Sequence, residues 1–390
     1  MDLRFGAEQE TLRAEARAWL EANVPRPGRG GPLPSLDTAQ GFEAHRAWEH
    51  LMYAARWSVV SWPERYGGRG WGLLEWLVFE EEYYRALAPT RVGQNGIFLL
   101  APTLFEFGTE DQKDRYLPPM ASGEEIWCQG WSEPDAGSDL AALRSRAERR
   151  GGDWLLNGQK TWCSRGAFAD WLFGLFRSDA AATRHGGLTY FLVPLHAAGV
   201  TVRPIAQLDG ETGFAEVFFE DVVVPDDQVL GDVHRGWEVA MATAGSERGL
   251  SLRSPARYSQ AAQRLEALYH RCAAHHPRRA ARLADAVGLA LVQAEAYRLH
   301  TYWTATRVLD GHRVGAEASL NKLFWSETDL LIHRTALELL GPEAELLDED
   351  DRPGEWLDGF LFALAGPIYA GTNEIQRNVV AERVLGLPRA

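Results

Sequence analysis

Two short runs near the middle of the chain carry the clearest structural signals: Trp127-Cys-Gln-Gly-Trp-Ser-Glu-Pro-Asp-Ala-Gly-Ser-Asp139 and Trp154-Leu-Leu-Asn-Gly-Gln-Lys-Thr-Trp-Cys-Ser-Arg-Gly166. The first part places two Ser, two Asp, a Glu, a Pro and a Gly after an apolar run. Such residues favour turns and local hydrogen bonds, so they predict an irregular loop with outward-facing hydroxyl and N–H groups. A loop of this kind suits a polar ligand.

The second part is typical of a β-hairpin. Leu155-Leu156 leads into Asn157-Gly158, the dipeptide that most readily supplies positive φ at both turn positions. Thr161-Trp162 would continue the returning strand and place the indole on a face of the sheet. An indole beside hydroxyl groups can stack on a flat heteroaromatic ligand. The competing interpretation is a surface turn followed by an ordinary hairpin with a core Trp.

The hydrophobic periodicity changes twice along the chain. Apolar residues recur at helical spacing through about the first 120 positions, alternate with period two through the middle, and return to helical spacing after Gly236. Helices, then strands, then helices within one chain predict an α+β fold. We expect an N-terminal helical domain at 1–122, a central antiparallel β domain at 123–233 and a C-terminal helical domain at 234–390.

Two local patterns make sharper predictions about helices. Thr109 followed by Gln112 predicts a capped helix start, because the two side chains can bond each other's backbone N–H groups. A late helix is expected to carry an apolar stripe. Its members are Leu320, Leu323, Phe324, Leu330 and Leu331.

The composition argues against several classes of function. The chain has 390 residues, 46% of them hydrophobic, and a net charge of −14. We expect no nucleic-acid partner, because that affinity depends on cations, and no membrane association, because no apolar run is long enough to span a bilayer. The three cysteines form no Cys-x-x-Cys pattern, so we expect neither a metal site nor a disulfide framework, in keeping with a cytoplasmic location.

A late segment, Ile368-Tyr-Ala-Gly-Thr-Asn-Glu-Ile-Gln-Arg377, completes a set of motifs. With Ser132-Glu-Pro-Asp-Ala-Gly-Ser-Asp139 and Asn157-Gly-Gln-Lys-Thr-Trp162 before it, the chain resembles the acyl-CoA dehydrogenase family of flavoproteins along nearly its whole length. The resemblance implies FAD, an acyl-CoA substrate, a C-terminal four-helix bundle and a role in fatty acid or lipid metabolism. Members remove a proton next to the thioester carbonyl and pass the neighbouring hydride to the flavin, and an electron-transfer flavoprotein is the expected acceptor.

The resemblance also implies the ligand contacts. Residues expected to contact FAD are Trp131, Ser132, Gly137, Ser138, Trp162, Ser164, Thr372 and Glu374. Residues expected near the substrate are Ser138, Arg248, Tyr369, Ala370 and Gly371.

The catalytic base departs from the commonest pattern of the family. The best-known members place a carboxylate between the Tyr and Gly of the late motif, where this chain has Ala370. A methyl group cannot accept a proton, so either the base lies elsewhere or the chain does not dehydrogenate. Isovaleryl-CoA and long-chain members take the carboxylate from the first long helix after the sheet, just before an Arg, and Glu247-Arg248 resembles that arrangement. The competing interpretation of Glu247 is a surface acid paired with nearby cations, and Glu374 is the other candidate base.

Two further departures leave alternatives open. The Arg-x-x-Phe-Gly segment with which many members bind the cofactor pyrophosphate of a neighbouring subunit is absent, and Glu338-Leu-Leu-Gly-Pro342 replaces the usual Gln and paired Gly. The leading interpretation is an FAD-dependent dehydrogenase for a branched, long or bulky acyl-CoA, with room opened beside Ala370. The alternatives are a non-catalytic or cofactor-sharing subunit of a hetero-oligomer, and an oxidase that uses dioxygen. The resemblance implies a homodimer or homotetramer.

Overall fold

The computed structural model describes residues 5–27, 33–208, 210–247, 254–312, 315–346 and 354–388, with the backbone alone at Ser246 and Glu247. Contacts divide the chain into two units. Unit 1 joins residues 1–24 and 73–88 to 248–390, and unit 2 holds residues 25–72 and 89–247. The predicted domain limits at 122 and 233 stay a prediction.

The helices alternate between the two units in the N-terminal third of the chain. In order they are α1 (Ala7–Asn23), α2 (Ala39–Ala54), α3 (Leu73–Arg85), α4 (Ala101–Phe107), α5 (Glu110–Ser122), α6 (Gly236–Glu247), α7 (Pro255–His275), α8 (Pro277–Leu309), α9 (Ala318–Leu340), α10 (Glu355–Ala365) and α11 (Asn373–Val379). Unit 1 contains α1, α3 and α7 to α11, and unit 2 contains the others. The predicted start of α5 is confirmed: Thr109 Oγ1 accepts from Gln112 N, and Gln112 Oε1 accepts from Thr109 N, each at 3.1 Å.

Unit 2 is organised around one mainly antiparallel sheet. Its strands are β1 (Trp127–Gly130), β2 (Arg146–Arg150), β3 (Asp153–Ser164), β4 (Trp171–Arg177), β5 (Leu188–Pro194), β6 (Val200–Ile205), β7 (Phe214–Pro225) and β8 (Val229–Leu230). They are ordered β6-β7-β3-β2-β4-β5-β8, and β1 pairs in parallel with β4. One face buries a core that includes Leu156, Phe176, Phe191 and Val217. The predicted α+β fold with a central β domain is confirmed.

The predicted turn at Asn157-Gly158 is wrong. Both residues lie inside β3, and the connection between β2 and β3 is made at Gly151-Gly152. Gly158 lies instead at a bulge, where β3 shifts register against β7, with a φ of +146°. A Cβ atom at Gly158 would lie 2.2 Å from Ser145 Oγ. The glycine is needed for this close approach and not for a turn.

The helical bundle of unit 1 has a core in which α7, α8 and α9 meet. Tyr258, Leu265, Val287, Trp325 and Ile332 are buried there. The predicted apolar stripe of α9 does not form part of this core as a unit: Leu320 and Phe324 are exposed by 39% and 36%, respectively. The buried face of α9 also holds Lys322 and Asp329, which bond to other elements of unit 1.

Ion pairs hold α1 on α3 within unit 1. The buried carboxylate of Glu82 accepts from Arg17 Nε at 2.9 Å, from Arg85 Nε at 2.6 Å and from Arg13 Nη1 at 3.2 Å. Three guanidinium groups therefore share one carboxylate.

Candidate active site

The polar loop predicted between β1 and β2 is present, and an ion pair that the sequence analysis missed holds it. Lys160 Nζ lies 2.8 Å from Glu133 Oε1, and both side chains are buried. Lys160 also donates to Trp131 O at 3.3 Å, and Glu133 accepts from the backbone N–H groups of Arg144 and Ser145 at 2.6 and 2.9 Å. Part of the loop therefore bonds inward, to β3, instead of facing solvent. The available signal was that Lys160 is the one cation among the twelve residues of β3.

The two charges of this pair depend on each other. Burial lowers the pKa of Lys160, and the charge of Glu133 opposes that shift. Burial alone would raise the pKa of Glu133, but the charge and hydrogen bond of Lys160 hold that pKa below its usual value. The favoured state is therefore a buried cation beside a buried anion, and removing either one would leave the other unpaired.

Trp162 lies where β3 loses its register with β7, between Lys160 and Cys163. Its φ is +59°, in the left-handed region that non-glycine residues rarely adopt. The side chain is 58% exposed and packs edge-on against Phe214, with the ring centroids 5.9 Å apart. Trp162 lies within β3, and its indole is exposed at this irregularity.

Ser132 and Ser164 both lie close to Trp162. Ser132 is bonded to the residue before Trp162, and Ser164 follows Trp162 by two residues at the end of β3. Thr161 N donates to Ser132 O at 2.9 Å, and Asn95 Nδ2 donates to Ser164 O at 3.4 Å. Gly137 and Ser138 are exposed on the outer part of the loop. The structure thus brings Ser132, Trp162 and Ser164 to one segment of unit 2.

Trp131 supplies an unsatisfied donor at the start of the same loop. The side chain is buried, and its indole N–H has no hydrogen-bond partner among the described residues. A buried donor without a partner is costly, so it calls for an acceptor from a ligand or from water.

Tyr369, Ala370 and Gly371 form a left-handed turn in unit 1. The φ angles are +56° at Ala370 and +77° at Gly371. Buried Gln376 holds the turn, because its Nε2 donates to Ala370 O at 3.1 Å and to Gly371 O at 3.3 Å. Tyr369 stacks on Trp325, with the ring centroids 5.7 Å apart. The turn therefore has a defined shape, and its side chain at position 370 is a methyl group.

Thr372, an expected FAD contact, caps α11. Its hydroxyl accepts from Ile375 N at 3.3 Å. Glu374 is exposed, and its pKa is lowered by its own backbone N–H and by the Thr372 hydroxyl. A base that works near neutral pH needs a raised pKa, so this shift weakens the case for Glu374 as the base.

Asn373 was missed by the sequence analysis. Its Oδ1 accepts from Lys322 Nζ at 2.7 Å and from Ser326 Oγ at 3.2 Å, and all three side chains are buried. These bonds fix the start of α11 on α9. The signal in the sequence was a Lys next to the apolar residues of the predicted α9 stripe.

Glu247 is the last residue of α6. Its side chain and all of Arg248 lie outside the described residues. One turn earlier, Thr243 Oγ1 lies 2.9 Å from Thr103 Oγ1 and 3.3 Å from the Tyr190 hydroxyl, in buried surroundings. These contacts fix α6 on α4 and β5 within unit 2.

Within the described ranges, no group of three or more His, Cys, Asp or Glu side chains could hold a metal ion. No helix in the same ranges is long and apolar enough to cross a membrane.

Comparison with known proteins identifies the family. The acyl-CoA dehydrogenase N-terminal, middle and C-terminal domain models match residues 6–124, 128–222 and 234–385. The chain is 40% identical over 396 residues to the acyl-CoA dehydrogenase IpdE1 of Mycobacterium tuberculosis (strain ATCC 25618 / H37Rv), covering 97% of this chain and 98% of that protein. It is 33% identical over 360 residues to the human mitochondrial short-chain specific acyl-CoA dehydrogenase, covering 86% and 84%.

Two solved structures match over all of both chains. The Tcur3481-Tcur3483 steroid ACAD is 27% identical with a TM-score of 0.83, and the ChsE4-ChsE5 complex from Mycobacterium tuberculosis is 28% identical with a TM-score of 0.83. Similarity of sequence, of all three domains and of fold leads to one conclusion: the chain belongs to the acyl-CoA dehydrogenase family and is a flavin-dependent oxidoreductase.

Proposed function

We propose that the chain carries out the FAD-dependent α,β-dehydrogenation of an acyl-CoA thioester with a branched, long or bulky acyl group, and that Glu247 is the base. The observation that carries this proposal is the turn at Ala370. Gln376 fixes it, and it presents a methyl group where the resemblance places a carboxylate in many members. The base must therefore come from another element.

Two features of unit 2 fit FAD. The buried Trp131 indole N–H lacks an acceptor within the described residues, and the exposed Trp162 ring offers a flat surface for stacking. We assign Trp131, Ser132, Trp162 and Ser164 to the isoalloxazine, and Gly137-Ser138 to close backbone approach. When bound, FAD supplies the hydride acceptor.

Residues of unit 1 receive narrower roles. Thr372 and Glu374 are assigned to the cofactor, and Tyr369, Ala370 and Gly371 to the acyl group. Because the Thr372 hydroxyl already caps α11, its contribution to FAD is a shared one. Arg248 is assigned to orienting Glu247 or the substrate.

Glu247 takes the proton from the carbon next to the thioester. A carboxylate does this well when its pKa rises toward the working pH, which happens when a bound substrate excludes water. The hydroxyl contacts of Thr243 fix α6 one turn before Glu247. Glu247 is the last residue of that helix.

A bulky acyl group has two supports. Replacing a carboxylate side chain by the methyl of Ala370 opens volume beside the acyl carbon. A steroid ACAD is among the structural neighbours, and this favours an alicyclic acyl group over a straight chain. An electron-transfer flavoprotein is the acceptor that we propose, and a homo-oligomer is the proposed assembly.

A second function is favoured by the same neighbours. Two of the solved structures are named for pairs of proteins, Tcur3481-Tcur3483 and ChsE4-ChsE5. In an assembly of that kind this chain would be a non-catalytic or cofactor-sharing subunit, and the missing Arg-x-x-Phe-Gly segment is consistent with that role.

The visible spectrum of the purified chain separates the two proposals. We expect a flavin band that bleaches anaerobically with an alicyclic or branched acyl-CoA and changes little with butyryl-CoA. A chain that stays colourless after incubation with FAD would contradict the stand-alone enzyme and favour the shared subunit. Equal bleaching by butyryl-CoA would contradict the bulky substrate.

A further inference from the structure

We propose that Arg165 is a positioning residue for the segment Trp162–Ser164, and that it acts through the turn at Arg91–Gly93, which Glu49 holds from the other side. The inference rests on the proposed role of Trp162 and Ser164 at the flavin. All of these residues lie in unit 2.

Arg165 binds the carbonyl side of the turn. Its Nη1 donates to Arg91 O at 2.7 Å and reaches Val92 O at 3.4 Å. Its own backbone N–H donates to Gly213 O at 2.7 Å. Charge-assisted hydrogen bonds of this kind are among the stronger ones in proteins. Arg165 therefore connects the end of β3 to a segment more than seventy residues earlier in the chain.

Glu49 binds the N–H side of the same turn. Gly93 N lies 2.9 Å from Glu49 Oε1 and 3.2 Å from Oε2, and Glu49 is almost wholly buried on α2. A Cβ atom at Gly93 would lie 2.6 Å from Glu49 Oε2, so a side chain here would have to displace the carboxylate. Burial raises the pKa of Glu49, while the charges of Arg91 and Arg165 oppose that shift. The turn is held at both its donors and its acceptors.

The turn at Arg91–Gly93 is also connected to the segment Trp162–Ser164. Asn95, two residues after Gly93, donates to Ser164 O at 3.4 Å. Phe42 and Phe168, which flank this region in the same core cluster as Val92, stack with their ring centroids 4.8 Å apart. The two segments, 91–95 and 164–165, are therefore bonded in both directions.

Backbone strain explains why the segment Trp162–Ser164 needs bonds to another part of the chain. Trp162 and Arg165 both have left-handed φ angles, +59° and +56°, within four residues. Such angles are unfavourable for non-glycine residues, and they persist only where the surroundings fix them. The pairing of β3 with β7 is interrupted between Lys160 and Cys163, so the sheet does not fix Trp162. The bonds made by Arg165 and Asn95, together with the pairing of Cys163 and Ser164 with β7, hold the chain directly after Trp162.

Glycine and asparagine at position 165 test the role of the Arg165 side chain without adding backbone strain, because both residues tolerate a left-handed φ. The variants are Arg165→Gly and Arg165→Asn, so that one poorly folding variant does not decide the result. Arg184→Gly is the matched control. Arg184 also has a left-handed φ, +53°, but it is exposed between β4 and β5.

Two readouts are taken from each variant and from the wild type. The first is amide hydrogen exchange at residues 91–95 and 162–166 without FAD, and we expect faster exchange in both Arg165 variants only. The second is the dissociation constant for FAD together with the midpoint potential of the bound flavin. We expect FAD binding to weaken by about tenfold or more, with a shifted potential, as for the loss of one charge-assisted hydrogen bond. Arg165→Lys, which keeps the cation and a donor, should recover part of the affinity.

The outcomes separate this inference from the function beneath it. Arg165 variants that bind FAD as tightly as the wild type, with an unchanged potential, would overturn the inference alone. A wild type that takes up no FAD would overturn the proposed function, and the role given to Arg165 with it.

Discussion

Two left-handed segments of the candidate site are held in opposite ways. Trp162 and Arg165 depend on bonds to residues far away in the chain, including Arg165 to Arg91 O. The turn at Ala370 and Gly371 depends on Gln376, five and six residues later. The first segment is a product of tertiary structure, and the second is almost a local motif. A substitution that breaks the first should therefore have larger and more distant effects than one that breaks the second.

Lys160→Met should have the largest effect on stability. It removes the cation that pairs with Glu133 and leaves a buried carboxylate unpaired, which costs about 3–5 kcal/mol in the free energy of unfolding. Denaturant unfolding measures this cost. The double variant Lys160→Met with Glu133→Gln should lose less, because no buried charge remains.

The exposed pair Arg149–Asp226 is the control for this prediction. Both side chains are about half exposed, so Arg149→Met should cost less than about 1 kcal/mol. Equal losses for Lys160→Met and Arg149→Met would mean that the Glu133–Lys160 pair does not hold the loop.

Acid should weaken unit 1 through Glu82. Burial alone would raise its pKa, but the hydrogen bonds and charges of Arg17 and Arg85 lower it to about 2, against a usual 4.5. A lowered carboxyl pKa stabilises the fold fully above the unfolded value near 4.5, and this contribution is lost as the pH falls through about 2. Between about pH 6 and pH 2, the wild type should lose on the order of 2–3 kcal/mol more than Glu82→Gln does. Parallel pH curves for the two proteins would contradict this account of the three guanidinium groups.

Gln376→Ala should cost about 1–2 kcal/mol, because two backbone carbonyls lose their donor. Asn378→Ala, at an exposed position of the same helix, should stay within about 0.5 kcal/mol. Thermal unfolding of both variants provides the measurement. A loss as large as that of Lys160→Met would show that the turn is not a local motif.

Ala370→Gly should have the smallest effect. Glycine relieves about 1 kcal/mol of left-handed strain, and its greater freedom in the unfolded chain offsets a similar amount. We expect a change within about 1 kcal/mol, measured by denaturant unfolding. A clear destabilisation would mean that the Ala370 methyl makes packing contacts that the turn requires.

Much of the fold could be predicted because periodicity and caps are local. The start of α5 at Thr109 needed only neighbouring residues. The change to period-two alternation in the middle of the chain likewise indicated the strands of the central sheet.

The wrong predictions concern positions whose structure is determined by residues far away in the sequence. The chain offers two turn dipeptides, Gly151-Gly152 and Asn157-Gly158; the turn forms at the first, and the second lies within β3, beside β7. On α9, Lys322 is buried because Asn373 accepts from it, while apolar Leu320 is exposed. Strand β7 and Asn373 are both far in sequence from the residues with which they pair.

The candidate site divides along the same line. Its motif residues were found because they form short runs. The buried supports Glu49, Lys160 and Gln376 were not found, because a charged or amide side chain gives no sign in sequence of the partner that will satisfy it.

Single-turnover bleaching of the bound flavin, measured anaerobically with one bulky acyl-CoA, tests the central claim most directly. The proteins are the wild type, Glu247→Gln and Glu374→Gln, with Glu374 as the competing carboxylate. The account predicts that Glu247→Gln slows bleaching by at least about 100-fold, because removing a general base typically costs 10²–10⁴ in rate. Glu374→Gln, at a residue assigned to the cofactor and not to the proton, should slow it far less. Bleaching by Glu247→Gln at the wild-type rate would contradict the account.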